Sequence, residues 1–186
     1  MNTSPSPSLT VSRNFIKISH IKKMNIEIWE NDLKIIWQKL GLISDKDFIE
    51  LIQKHTENID KEKFKAISDF EKACAYDSTG REKEAEPLYR SAIKFGLVGL
   101  RRRRANIQLA STLRNNGNLT ESIAILKKEK ENYSDELDDA INAFLALSLS
   151  SINEDKKALS LVLESLSKHL PRYNKSVFNY SKKLNK

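Results

Sequence analysis

Glycine and proline, the residues that most often interrupt helices and form turns, are scarce in this sequence of 186 residues. It has five glycines and four prolines, and two of the prolines, Pro5 and Pro7, lie among the first ten residues. A chain with so few turn formers favours long helices and few loops. No alternation of apolar and polar residues continues for long enough to indicate a strand. These absences predict an all-α fold.

Cysteine and long apolar runs are also scarce. Cys74 is the single cysteine, and one cysteine cannot close an intramolecular disulfide, so the sequence gives no sign of an oxidising compartment. No apolar run approaches the roughly 20 residues that a membrane-spanning helix needs. The first residues lack the continuous apolar core of a secretory signal. We therefore expect a cytoplasmic protein with no membrane partner.

The net charge of +7 is concentrated at the two ends of the chain. Residues 1–23 contain four basic and no acidic residues, and residues 168–186 contain six basic and no acidic residues. The body between them, 24–167, has 22 basic and 25 acidic residues. A nucleic-acid-binding domain is expected to concentrate positive charge on its folded surface. The charge distribution therefore disfavours nucleic acid as a partner.

Residues 1–23 form a leader rich in serine, proline and other polar residues, which predicts disorder. Met24 is followed at once by a helical pattern of apolar residues. Two interpretations remain open. Either translation starts at Met24, or the leader is a genuine flexible tail.

A helical hairpin is predicted over 24–63. Gly41 is expected to end the first helix in a left-handed conformation. Ser44, followed three residues later by Asp47, is expected to cap the second helix in a box-like arrangement. The first helix has apolar residues three or four apart along one face, namely Ile26, Trp29, Leu33, Ile36, Trp37 and Leu40.

The remainder of the chain repeats. Gly80, Gly117 and Asn153 lie 37 and then 36 residues apart, and each is expected to adopt the positive φ that turns one helix into the next. Small residues at fixed spacings on both sides of these anchors allow two helices to cross closely. Self-similarity at this period is typical of a solenoid of helix pairs. The small residues are Ala73, Ala110 and Ala146 before the anchors and Ala85, Ser122 and Ala158 after them.

Each unit also has a larger residue four positions after its second small residue. We expect these side chains, Tyr89, Leu126 and Val162, to seal the boundary with the following repeat. The three helix pairs are predicted at about 66–99, 103–136 and 139–170.

A last helix over about 171–184 is predicted to cover the end of the solenoid. A terminal repeat needs a cover whose outer side is polar. The apolar stripe of this helix, with spacings of four, three and four residues, is formed by Tyr173, Val177, Tyr180 and Leu184. We expect the stripe to lie on the third repeat and the lysines to point outward.

The segments FEKACAYDSTGREKEAEPLYRSAIKFGL and LRRRRANIQLASTLRNNGNLTESIAIL resemble tetratricopeptide repeats. Together they are similar to the bacterial group 5 tetratricopeptide-repeat domain, and the resemblance covers about 64–184. Asp69 and Asn106 stand where the family usually has a Trp near the start of the first helix. The resemblance implies a right-handed α-solenoid of three tetratricopeptide-like helix pairs, with the N-terminal helical hairpin before it and the capping helix after it. It also implies a binding protein rather than an enzyme.

The sequence has no recognisable pattern for catalysis or for metal or cofactor binding. His20, His55 and His169 are isolated and share no ligand spacing with a cysteine or a pair of carboxylates. Cys74 is interpreted as a small buried or half-buried hydrophobe, since a reactive thiol would need a pKa lowered by neighbouring positive charge. No phosphate-binding glycine loop, GxSxG or HExxH motif occurs. We therefore expect no enzyme activity, no metal and no cofactor.

Four consecutive arginines, Arg101–Arg104, stand at the predicted start of a helix. Positive charge there opposes the helix dipole by roughly 0.3–1 kcal/mol for each residue. One explanation is pairing with acids of neighbouring helices. The other is that Arg104 points into a groove and meets an anionic group of a partner. The candidate acids are Glu82, Glu84, Glu86, Asp138 and Asp139.

The resemblance implies a concave groove, lined by the first helices of successive repeats, that binds a protein or peptide partner. An extended peptide with one acidic and some apolar side chains suits a groove that is apolar at both ends and basic and amide-bearing in the centre. The residues projected into it are Phe70, Cys74 and Asp77 from the first repeat, Arg104, Ile107, Ser111, Arg114 and Asn115 from the second, and Ala143, Leu147 and Ser150 from the third.

Two other functions are compatible with the sequence. RNA or another polyanion could bind through Arg101–Arg104 and the basic C-terminal tail. Alternatively, the third repeat, whose pattern is degenerate, or the helix with the two tryptophans could bury its apolar face against a second copy. A monomer is the expected oligomeric state.

Overall fold

The computed structural model describes residues 26–57 and 61–184, and of residues 61–63 it describes the backbone alone. These residues form nine helices and no strand, which confirms the all-α prediction. The chain divides into two compact units, Met1–Ile59 and Asp60–Lys186. The leader over 1–23 and Met24 lie outside the described residues, so the predictions made for them stay predictions.

In the first unit, a helix that includes 26–37 (α1) is followed by α2 (Asp45–Glu57). Trp29 and His55 join the two helices. The indole Nε1 of Trp29 donates to the carbonyl of His55 at 3.2 Å, and His55 Nε2 lies 2.9 Å from the carbonyl oxygen of Trp29. Their rings are stacked with centroids 4.9 Å apart. This contact fixes the register of the hairpin.

The turn of this hairpin has the predicted chemistry. Gly41 has φ 75°. Ser44 Oγ donates to Asp47 Oδ2 at 2.7 Å and accepts the Asp47 N–H at 3.2 Å, which is the expected box-like cap. Leu40 lies in the turn and is 37% exposed. The prediction that Leu40 belongs to the apolar face of the helix is therefore wrong.

The second unit is a row of seven helices in which each packs against the next. The first bends near its start, at Phe64, whose φ of −118° and ψ of 17° are not helical. The helices are α3 (Lys61–Asp77), α4 (Glu82–Lys94), α5 (Gly99–Asn115), α6 (Leu119–Asn132), α7 (Asp138–Ser150), α8 (Asp155–Ser167) and α9 (Asn174–Lys183). They form the pairs α3–α4, α5–α6 and α7–α8, followed by α9.

The turns within the pairs lie at the predicted anchors. Gly80, Gly117 and Asn153 have φ values of 71°, 86° and 62°. The helices of the second pair cross closely at their small residues, since Ser122 Oγ on α6 donates directly to the backbone carbonyl of Ala110 on α5 at 2.7 Å. The predicted register of the repeat is confirmed at these positions.

In the first and second pairs, the first helix of the next pair packs against both helices of the pair. Helix α5 packs against both α3 and α4, and α7 packs against both α5 and α6. Ile107 and Leu126 of the second pair share one buried cluster with Ile141 and Leu145 of α7. The pattern stops at the third pair, because within the described residues α9 packs against α8 and not against α7.

The predicted packing stripe of the last helix is wrong at its two tyrosines. Tyr173 and Tyr180 are 73% and 62% exposed. Ser181 is fully buried instead, and its carbonyl accepts the hydroxyl of Ser160 on α8 at 2.8 Å. The helix therefore approaches α8 closely through a small polar residue, and Tyr173 precedes the helix at its N-cap.

The boundary residue of the third repeat also differs from its prediction. Tyr89 and Leu126 are fully buried, as expected of residues that seal a repeat against the next one. Val162, at the matching position of α8, is 43% exposed. Its expected role is wrong because, in the described part of the chain, no helix follows at that boundary.

Candidate functional site

The first helices of the three pairs lie on the inner side of the second unit. Helix α3 approaches α5 and α5 approaches α7, whereas α4, α6 and α8 do not approach one another among the described residues. Because α5 is surrounded by α3, α4, α6 and α7, the side that it leaves exposed is the inner side. We call this surface the groove, formed by Arg104, Gln108, Ser111, Arg114 and Asn115 of α5 and Ala143, Leu147 and Ser150 of α7.

Three residues projected into the groove from the sequence are buried beneath it. Phe70, Cys74 and Ile107 are 0%, 4% and 4% exposed. The guanidinium of Arg104 lies 5.4 Å from the centre of the Phe70 ring, and Cys74 Sγ donates to Gln108 Oε1 at 3.4 Å. The helix of the following repeat thus covers these positions, and they offer a partner little surface.

The environment of Cys74 suppresses its reactivity. Burial raises the pKa of the Cys74 thiol to about 12, and the nearby carboxylate of Glu71 acts in the same direction. Since the thiolate is the nucleophilic form, this cysteine is a packing residue at neutral pH.

Asp77 is half-buried and links three helices. Its carboxylate accepts the hydroxyl of Tyr89 on α4 and the hydroxyl of Thr112 on α5, both at 3.1 Å. Burial raises the pKa of this carboxyl above its ordinary value. Both acceptor oxygens are already bonded within the fold, so Asp77 contributes to the rigidity of the groove.

Arg104 is the member of the arginine run that reaches the groove. Its side chain is exposed, and its guanidinium lies over the ring of Phe70. Among the described residues, no carboxylate forms an ion pair with it. An exposed guanidinium held on an aromatic ring is oriented to donate hydrogen bonds to a carboxylate from outside.

The other three arginines of the run are neutralised within the fold. Each pairs with an acid on a different element, which explains how the start of α5 tolerates four positive charges. Of the acids named from the sequence, Asp138 is among these partners. The pairs are Arg101–Glu71 at 3.3 Å, Arg102–Glu129 at 2.8 Å and Arg103–Asp138 at 2.5 Å.

Arg114 is the second groove arginine without a carboxylate partner among the described residues. Its Nη2 donates to Asn115 Oδ1 at 2.8 Å, while its Nε is buried with no hydrogen-bond partner. Asn115 in turn donates to Glu82 Oε1 at 3.2 Å. Ten residues separate Arg104 from Arg114, which places them about 15 Å apart along the helix axis.

The α7 side of the groove is uncharged. From Ala140 to Asn153 the sequence contains no charged residue. Ala143, Leu147 and Ser150 are exposed there, and Leu147 has half of its surface open to solvent. A basic strip on α5 thus runs beside an uncharged, partly apolar strip on α7.

Two clefts lie outside the predicted groove, next to the connection between the second and third pairs. One has a volume of about 400 Å³, with Val98, Leu100 and Tyr133 in its wall. The other has a volume of about 180 Å³, with Lys130 and Tyr133 in its wall. Sequence reasoning missed both, because they depend on how a connection without a motif folds back. The bond between Gln108 and Cys74 was also not predictable from spacing.

Comparison with known families identifies the architecture. A family model described as tetratrico peptide repeat matches residues 66–184, which is more than half of the chain. The chain belongs to the tetratricopeptide repeat family. This agrees with the resemblance found in the sequence and with the solenoid of helix pairs. Searches of curated proteins and of solved structures found no match.

Membership of the tetratricopeptide repeat family indicates protein–protein interaction as the general function. Within the described residues, no group of three or more His, Cys, Asp or Glu residues is placed to hold a metal ion. No helix in that part of the chain is long and apolar enough to cross a membrane.

Proposed function

We propose that this tetratricopeptide repeat protein is a non-enzymatic interaction module whose groove binds an extended peptide with acidic and apolar side chains. The main support is the placement of Arg104 and Arg114, two groove arginines with no carboxylate partner among the described residues. Its expected cytoplasmic location stays a prediction.

The chemistry of the groove favours an acidic peptide segment. Arginine can bind a carboxylate through two parallel N–H···O bonds, and such charge-assisted bonds contribute about 1.5–3 kcal/mol each. The opposite strip, with Leu147 half exposed, can bury an apolar side chain of the same peptide. Acidic side chains of the peptide would therefore bind at the α5 strip, and its apolar side chains at the α7 strip.

The spacing of the two arginines predicts the spacing of the acids. An extended peptide advances about 3.3 Å per residue, so a separation of about 15 Å corresponds to four or five residues. A peptide with two glutamates at that spacing and leucine between them should bind more tightly than versions with the glutamates closer together.

The first prediction tests this with fluorescently labelled synthetic peptides and the full-length protein. We expect binding of the glutamate peptide, measured by fluorescence anisotropy, to weaken by about tenfold or more in Arg104→Glu and again in Arg114→Glu, since each variant removes a charge-assisted bond and adds repulsion. Arg172→Glu is the matched control, because Arg172 is exposed outside the groove.

The outcome that overturns the proposal is equal binding of the glutamate peptide and its glutamine counterpart, or full binding by the Arg104→Glu, Arg114→Glu double variant. Substituting Ile107 would not be informative here. It is 4% exposed and belongs to the buried cluster with α7, so a change there would disturb the fold.

The polyanion alternative loses its main support. Three arginines of the run are paired with acids, and in the basic C-terminal segment Lys168 pairs with Asp139 and Lys182 with Glu164. We therefore do not propose RNA as a ligand.

A further inference from the structure

Among the described residues, no further helix pair follows the third one, whereas each earlier pair has a following neighbour. The residues of the second pair that share a buried cluster with α7 include Ile107 on α5 and Ile123 and Leu126 on α6, beside Ala110 and Ile125. Thirty-six residues later, the matching positions are Ala143 on α7 and Leu159 and Val162 on α8. The repeat register therefore assigns the same packing role to these three residues.

Exposure shows that no described residue fills this role. Ile107 and Leu126 are 4% and 0% exposed, whereas Leu159 and Val162 are 49% and 43% exposed. Leu147 and Leu166 beside them are 50% and 46% exposed. We call this surface the end face, and it consists of Ala143 and Leu147 on α7 and Leu159, Val162 and Leu166 on α8.

Helix α9 lies against a different side of α8. Its contacts there are Ser181 with Ser160 and Lys182 with Glu164. On α6, the residues matching Ser160 and Glu164 are Ala124 and Lys128, and both are exposed to solvent. α9 therefore covers a side of α8 that is not a packing side in the preceding repeat, and in the part of the chain that the structure describes the end face stays uncovered.

The α8 part of the end face is complementary to itself. A stripe with spacings of four, three, four and three residues begins with an acid, continues through three apolar residues and ends with a histidine, namely Asp155, Leu159, Val162, Leu166 and His169. When two copies pair antiparallel about a two-fold axis at Val162, Asp155 of one faces His169 of the other, a residue just beyond the end of α8 whose Nε2 also lies 3.0 Å from Asp139 Oδ2 of its own chain. The two apolar leucines also face each other, and antiparallel helix dipoles attract.

We propose that a second copy of this chain occupies the end face, so that the protein forms a two-fold symmetric dimer through its third helix pair. A two-fold axis makes the same patch serve both subunits. The sequence alone favoured a monomer, and the open end of the solenoid is the observation that changes this expectation. The end face shares Ala143 and Leu147 with the groove, whereas Leu159, Val162 and Leu166 lie on α8 outside it, so variants at Val162 test the dimer separately from peptide binding.

The second prediction is a dimer that Val162 controls. We expect sedimentation of the full-length protein to shift from the monomer mass of 21.3 kDa towards twice that mass between about 1 μM and about 500 μM, since a patch of five residues is far smaller than the roughly 20–30 residues a side of a standard interface and associates weakly. Val162→Glu should weaken dimerisation more than about tenfold, because the two-fold axis places like charges together. Its melting temperature should stay close to wild type, as Val162 is already 43% exposed.

Charge pairing across the axis gives the decisive measurement. Val162→Glu and Val162→Lys should each be monomeric, and an equimolar mixture should restore a dimer, because one glutamate then faces one lysine. Leu42→Glu, at an 80% exposed leucine of the first unit, is the matched control and should dimerise like wild type. A wild-type monomer at every concentration overturns the proposal and leaves the end face to a helix of another protein. Failure of the mixture to dimerise overturns the two-fold arrangement.

Discussion

The four consecutive arginines at the start of α5 each meet different surroundings. Successive residues of a helix point about 100° apart, so four neighbouring side chains reach four directions. The side chain of Arg103 is 3% exposed and lies between Asp138 at 2.5 Å and Asp135 at 3.3 Å. Arg104, the next residue, is exposed in the groove. One run of identical residues thus combines structural ion pairs with a candidate binding residue.

The third prediction compares these two neighbours. Arg103→Ala should lower the free energy of unfolding by about 2–3 kcal/mol, because it breaks a mostly buried ion pair. The expected loss lies below the roughly 3–5 kcal/mol of fully buried pairs, since the carboxylates of Asp135 and Asp138 are 26% and 35% exposed and can regain water. Arg104→Ala should change stability by less than about 0.5 kcal/mol.

Urea unfolding followed by circular dichroism measures both variants. Equal losses of stability for Arg103→Ala and Arg104→Ala would contradict the division between structural and groove arginines. The same two proteins then serve in the peptide-binding measurement, where Arg104→Ala is the one expected to lose affinity.

At the scale of the helices, the turns were the most predictable feature. Gly80 and Gly117 lack the Cβ that makes positive φ costly, and asparagine tolerates this conformation better than other residues. Their spacing therefore identified the repeat without reference to the rest of the chain. The caps and turn of the first unit, Ser44 with Asp47 and Gly41, were predictable for the same reason, because their chemistry is local.

Helix faces were predicted less well because their burial depends on distant residues. Phe70 and Ile107 occupy inner-helix positions, and only the placement of the following repeat shows that they are covered. Tyr173 and Tyr180 form an apolar stripe with Val177, but the contact with α8 is made by Ser181, a small polar residue that periodicity does not mark. An apolar stripe looks the same in the sequence whether or not a neighbour covers it.

The fourth prediction tests the turn of the second pair. A Cβ added at Gly117 would have no atom within 4 Å, so the effect of Gly117→Ala comes from its φ of 86° alone. We expect a loss of about 1 kcal/mol in the free energy of unfolding. Asn153→Gly, at the matching turn of the third pair, relieves the same conformation and should be neutral or slightly stabilising. A tolerated Gly117→Ala would contradict the role of this anchor.

At the scale of the whole molecule, the stability of the second unit depends on contacts between neighbouring helix pairs. In a solenoid, each repeat gains stability from its own packing and from its contact with its neighbours. The second pair has a pair on each side, whereas the third pair has α9 on one side of α8 and an open end face. Stability should therefore decrease along the row towards the C-terminal end.

The fifth prediction follows from this gradient and is measured by amide hydrogen exchange. In dilute protein, backbone amides of α8 and α9 should exchange faster than those of α5 and α6, because local opening costs less where fewer neighbours are lost. Raising the protein concentration should slow exchange in α8, which the proposed dimer covers, and leave α4 unchanged. Val162→Glu should abolish the concentration effect and keep the gradient. Uniform protection from exchange along the helices would contradict the predicted decrease in stability. A gradient in protection that does not change with protein concentration would contradict only the proposed dimer.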